Sequence, residues 1–153
     1  MSIPLPGTYK IANAHFKTNQ LFDLQGGSVK SGAPIVARGN AKFRSGETQM
    51  LWTLQVLRNA NPGMIVRLIN VLAGTFAQPM LGVPSNGGEI VGGNAVAEWL
   101  LTPTATLGQY SLQTTDGTFA CSLSEGVDFT RVNLQATDLT DDRQAWVFAP
   151  ASV

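Results

Sequence analysis

The sequence predicts an all-β domain assembled from three imperfect copies of one unit. The three tryptophans of the chain, Trp52, Trp99 and Trp146, fall 47 residues apart each time. Sixteen glycines and eight prolines interrupt the chain too often for a sustained helical period. Between them lie short apolar or β-branched runs such as Tyr9-Lys10-Ile11, Ile65-Val66-Arg67-Leu68-Ile69, Tyr110-Ser111-Leu112-Gln113 and Trp146-Val147-Phe148, each bounded by turn residues.

Each unit repeats the same order of features. The openings are Gly7-Thr8-Tyr9-Lys10-Ile11, Gly63-Met64-Ile65-Val66 and Gly108-Gln109-Tyr110-Ser111-Leu112. Gly74-Thr75-Phe76-Ala77 and Gly117-Thr118-Phe119-Ala120 then mark the turn after the first strand of units two and three. Further on, Ile35-Val36-Ala37-Arg38-Gly39-Asn40-Ala41 is echoed by Ile90-Val91-Gly92-Gly93-Asn94-Ala95 and, more faintly, by Leu134-Gln135-Ala136-Thr137-Asp138-Leu139. Each tryptophan closes its unit ahead of a last strand. A repeat of this length with about four short strands also suits a propeller blade, but three blades fall below the usual four to eight. Three such units closed about a pseudo-threefold axis make a β-trefoil, with one domain over residues 1–153 and repeats over about 7–55, 63–102 and 108–149. The equal spacing reads the tryptophans as structural posts of the barrel.

Size and charge limit the function. At 153 residues the chain has the length of one ordinary domain, which buries roughly 70% of its unfolded surface without a covalent staple. The one cysteine, Cys121, excludes an intramolecular disulfide. Ten basic residues balance ten acidic ones, which argues against nucleic acid and anionic lipid as partners. The N-terminal Met1-Ser2-Ile3-Pro4-Leu5-Pro6-Gly7 has neither a basic leader nor an apolar run of signal-peptide length, and no segment reaches membrane-spanning length, so a soluble, cytoplasmic protein is expected.

The motifs resemble those of a known family. Gln144-Ala145-Trp146 reproduces the Gln-x-Trp motif of the ricin B-chain lectins, and Gln49-Met50-Leu51-Trp52 is a variant; Ala97-Glu98-Trp99 lacks the glutamine. Leu21-Phe22-Asp23-Leu24-Gln25-Gly26-Gly27-Ser28 resembles the Leu-x-Asp-Leu-x-Gly-Gly segment that precedes the family's sugar site. With the opening Pro6-Gly7-Thr8-Tyr9-Lys10-Ile11-Ala12-Asn13, the whole chain is similar to the small mushroom ricin B-like lectins. The resemblance implies a β-trefoil lectin for terminal galactose or N-acetylgalactosamine on glycans or glycoconjugates, without cofactor or metal and with a role in fungal defence. It implies one competent pocket, because the windows equivalent to Asp23 are Gln78-Pro79-Met80-Leu81 and Cys121-Ser122-Leu123-Ser124, neither of which has a carboxylate. Asn94 and Asp138 are read as occupying the place of Asn40 and as supporting weaker sites. A monovalent shallow pocket binds weakly, so homodimerisation would supply avidity.

The residue types suit a pyranose, whose hydroxyls donate and accept and whose C–H faces are apolar. Asp23 accepts two hydroxyl protons in charge-assisted bonds. Gly26, without a Cβ, lets its backbone N–H approach the sugar, and Asn40 and Gln49 add amides. The stacking surface is either the guanidinium plane of Arg38 or the ring of Phe43. Read structurally instead, Asp23 is a turn aspartate ahead of Gly26-Gly27.

Enzymatic constellations are thin. His15 and Cys121 lie in different units, Glu125 and Asp128 share one polar loop rather than facing across a cleft, and Asp138, Asp141 and Asp142 lack the spacing of a cation loop. No enzyme is expected. The same fungal trefoil group includes protease inhibitors, and Lys30, in the loop Gly27-Ser28-Val29-Lys30-Ser31-Gly32, suits the acidic specificity pocket of a trypsin-like protease. A trefoil that serves only structure or a protein partner is the third reading, favoured by the degraded motif before Trp52. Fold alone does not separate the three.

Overall fold

The computed structural model describes residues 4–44 and 46–151. The described residues form twelve strands joined by turns and five short 3-10 segments. The first repeat holds β1 (Gly7–Asn13), β2 (Gln20–Leu24), β3 (Ala33–Gly39) and β4 (Trp52–Asn59). The second holds β5 (Met64–Asn70), β6 (Phe76–Pro79), β7 (Ile90–Gly93) and β8 (Trp99–Pro103). The third holds β9 (Tyr110–Gln113), β10 (Phe119–Ser122), β11 (Asn133–Ala136) and β12 (Ala145–Pro150).

Pairing turns these units into a barrel with a cap. The first and last strands of each repeat form a closed antiparallel ring, β1–β4, β4–β5, β5–β8, β8–β9, β9–β12 and β12–β1. Closure leaves the ring without free edges. The middle strands pair as hairpins, β2–β3, β6–β7 and β10–β11. These meet about the axis: Val132 N donates to Ile35 O and Ile90 N to Val132 O, both at 3.0 Å, while Gly32 N donates to Gly92 O at 2.8 Å. This is the β-trefoil the repeats predict.

The tryptophans show why the spacing is constant. All three are buried, and each indole N–H donates to a backbone carbonyl on the second strand of its own repeat: Trp52 to Phe22 at 3.2 Å, Trp99 to Ala77 at 2.9 Å and Trp146 to Cys121 at 3.0 Å. A buried indole N–H without a partner is costly, so the same bond made three times ties hairpin to barrel in each repeat. Phe22 meets Trp146 and Trp52 edge-to-face, with ring centroids 4.6 and 6.2 Å apart. Cys121 lies in the same core, where burial raises its thiol far above the usual range. His15 stands at the surface, its Nδ1 2.6 Å from Asp142 Oδ1. Among the described residues, no helix is long and apolar enough to cross a membrane and no group of three or more His, Cys, Asp or Glu is arranged to hold a metal ion.

Candidate sugar site of the first repeat

The three tryptophan-bonded carbonyls give a common frame for the repeats. The residue after each is Asp23, Gln78 or Ser122. Across the hairpin, Phe22 pairs with Ala37, Ala77 with Gly92 and Cys121 with Leu134. Arg38 therefore corresponds to Gly93 and Gln135, and Asn40 to Ala95 and Thr137. The sequence echo placed Asn94 and Asp138 at the position of Asn40; by strand register Asn94 lies one position earlier and Asp138 one later. The reason is physical: the strands end at Gly39, Gly93 and Ala136, before this position, so recurring letters there have no shared ladder to hold them in step.

Asp23 and Arg38 come together. Asp23 pairs with Val36 and Leu21 with Arg38, so on one face of the hairpin Asp23 and Arg38 are diagonal neighbours within reach of a long side chain. Asp23 is only 2% exposed, and its Oδ1 has no hydrogen-bond partner; neither does Arg38 Nε. Burial pushes the carboxyl up to about 6, Arg38 pulling it down and Glu47 and Asp128 adding to the rise. Such a group stays partly protonated near neutrality until something supplies donors to it.

The other predicted residues divide. Gly26 has φ +68 in the 3-10 segment Gln25–Gly27, a left-handed backbone that favours glycine whatever else the position does. Gln49 is turned towards its own segment, its Nε2 donating to Glu47 and its carbonyl accepting Asn70 Nδ2 at 2.9 Å. Asn40 and Phe43 sit with Lys10, whose Nζ donates to Asn40 Oδ1 at 3.2 Å and stands 4.8 Å from the centroid of the Phe43 ring. Lys30 is exposed in a tight turn, its N–H donating to Ser28 Oγ.

Phe129 is an aromatic neighbour that sequence reading did not single out. Its ring lies 5.2 Å from the Arg38 guanidinium carbon, is 53% exposed, and comes from the third repeat. Phe129 has φ +71, a strained conformation for a bulky residue. Hydrogen bonds fix it there: Phe129 N donates to Ala37 O at 2.7 Å, Ala37 N to Thr130 O at 2.8 Å, and Gly39 N to Asp128 Oδ1 at 2.7 Å. No sequence signal points from residue 129 to residue 38, because the contact is made by neighbouring repeats across the cap.

The equivalent places in the other repeats are open. At the third, a cavity of about 480 Å³ is lined by Ser122, Asn133, Gln135, Asp138, Asp141 and Arg143 among others. Asp138 accepts the N–H and hydroxyl of Thr140 at 2.9 and 2.6 Å, which lowers its pKa and makes it a turn residue at the rim. At the second, a cavity of about 190 Å³ includes Gln78, Pro84, Val96 and Trp99. There Gly93 leaves free the place that the Gln78 amide occupies. Asn94 is an exposed bend beside it.

No protein-family model matches the chain, and no curated protein does. Among solved structures it is similar to a designed threefold-symmetric protein, ThreeFoil, at TM-score 0.80 and 17% identity, covering 95% of this chain and 99% of that one. It is similar to the Macrolepiota procera ricin B-like lectin in complex with lactose at TM-score 0.77 and 20% identity, covering 99% and 100%. It is similar to the Rhizoctonia solani agglutinin at TM-score 0.80 and 22% identity, covering 99% of each. Strand topology and these likenesses agree that the chain is a β-trefoil with the architecture of the ricin B-like lectins.

Proposed function

We propose that the protein is a lectin that binds a galactose-type sugar, galactose or N-acetylgalactosamine, at the first-repeat hairpin. One observation carries the reading: Asp23 Oδ1 and Arg38 Nε, a buried acceptor and a buried donor from diagonal neighbours on one face of the hairpin, both lack partners. Buried polar atoms are normally satisfied, and a pyranose hydroxyl accepts from one group while donating to the other. The Asp23 carboxylate is the anchor and Arg38 the second contact. The Arg38 guanidinium lies over the Phe129 ring, and the exposed part of that ring offers the apolar platform for the C–H face.

The fold is consistent with this function: the similar Macrolepiota lectin holds lactose, a galactose-terminated disaccharide. The third-repeat cavity with Asp138 at its rim is the stronger of the two weaker sites, since it is open and polar. The reading assigns no reaction to the protein.

Calorimetry with lactose tests it. The wild type should bind in the millimolar to micromolar range, about −4 to −8 kcal/mol, and Asp23→Ala should lose that binding while keeping its melting transition. Undiminished binding in Asp23→Ala places the sugar elsewhere and rejects the first-repeat site.

A further inference from the structure

The charges of this chain sum to zero but are unevenly placed. Lys10, Lys17, Lys30, Arg38, Lys42 and Arg44, six of the ten cations, lie within residues 1–46, where the one acid is Asp23. Asp23 is buried, so the surface of this segment is cationic. Folding gathers part of that charge in a cavity of about 390 Å³ beside β1, β2 and β12, whose lining includes Lys10, Lys17, Phe16, Asn19, Asn40 and Val147. No Asp or Glu is among the lining residues described. The ion pairs of the described residues use Arg58, Arg67, Arg131 and His15 and none of the lysines.

The cavity combines three kinds of group. Lys10 is held in place by Asn40 and the Phe43 ring, so its ammonium is positioned before any ligand arrives. Lys17 is exposed at the rim. Asn19 and Asn40 are fixed by the bond from Asn40 N to Asn19 O at 3.0 Å, and Asn19 has φ +57. The half-buried Phe16 ring, packed edge-on by His15 at 4.7 Å, and Val147 supply apolar surface. The nearby carboxylate of Asp142 is engaged by His15.

We propose that this cavity is a separate saccharide site, for a sugar bearing a sulfate ester or a carboxylate. Two ammonium groups without counter-charges attract the anion, the amides match hydroxyls, and Phe16 and Val147 match a C–H face. A bare inorganic anion would use only the first of these, so the cavity should prefer the charged sugar over sulfate alone. The proposal does not depend on the first-repeat reading.

Titration of the whole chain with galactose 6-sulfate, galactose and inorganic sulfate, followed by NMR at low and high salt, decides it. Galactose 6-sulfate should bind at least about tenfold tighter than either control, weaken with salt, and shift the resonances of Lys17 and Asn40. Lys17→Glu, at an exposed position that the fold does not need, should lose at least about tenfold for the sulfated sugar and leave galactose binding unchanged. Lys10→Gln should lose a similar factor for the sulfated sugar. Asp23→Ala should keep the sulfated-sugar binding even where it abolishes galactose binding, which separates the two sites. Equal binding of galactose 6-sulfate and galactose, equal binding of inorganic sulfate, full retention in Lys17→Glu, or loss in Asp23→Ala would each overturn the proposal.

Discussion

Replacing Asp23 by asparagine keeps the shape of the side chain and removes its titration. In the folded protein the carboxyl is pushed from its ordinary 3.8 to about 6, mainly by burial. A group whose folded pKa lies above its unfolded value stabilises the fold most below the unfolded value, and that contribution is lost as pH rises through the folded one. The wild type should therefore lose stability between pH 4 and pH 7 through this residue, by an amount of about 3 kcal/mol at most. Asp23→Asn should not. The quantity to measure is the difference in melting temperature between the two proteins as a function of pH, because any fixed cost of placing an amide beside Arg38 cancels. For a domain of this size about 3 kcal/mol corresponds to roughly 6–12 °C, so the asparagine variant should gain by that order on the wild type between pH 4 and pH 8. A difference that stays constant across this range would show that Asp23 titrates as a solvated carboxyl, and the buried, unpartnered anchor would be refuted. Sugar should act in the opposite sense to burial: hydroxyl donors favour the charged form, so lactose affinity should fall as pH drops below about 6 and rise to a plateau above it.

The three tryptophans make equivalent bonds, so each Trp→Ala substitution should cost roughly 3–5 kcal/mol in chemical denaturation; one variant that keeps full stability would remove that tryptophan from the set of posts. Leu81 is 91% exposed at φ +59 in the place that Gly26 fills in the first repeat, so Leu81→Gly should raise stability by about 0.5–1 kcal/mol, and a loss would show that its side chain is packed in solution. Lys30→Ala should leave lactose affinity unchanged, and neither that variant nor the wild type should slow trypsin; sub-micromolar inhibition that disappears with Lys30 would replace the lectin reading by the inhibitor reading.

The sequence by itself determined the repeat and therefore the fold. Trp52, Trp99 and Trp146 recur because each must reach one carbonyl of its own repeat, a local requirement that leaves a constant spacing in the chain. Asp23 was legible as a candidate anchor for the same reason: the carboxylate, the following glycines and the hairpin lie within one short segment. What surrounds Asp23 was not legible. Phe129 reaches Arg38 from another repeat, and its left-handed backbone is set by bonds to Ala37 and Gly39 that no local pattern encodes. Strand pairing likewise determined which residue stands in the place of Asn40, because the correspondence is set by the hairpin ladders and not by letters that recur beyond the strand ends. The cationic cavity is tertiary too: Lys10 and Lys17 line one cavity with Asn40 and Val147 only after β1, β2 and β12 have packed. Local sequence specifies contacts made within a repeat, whereas burial, pKa and the composition of a site depend on which repeats the closed barrel brings together.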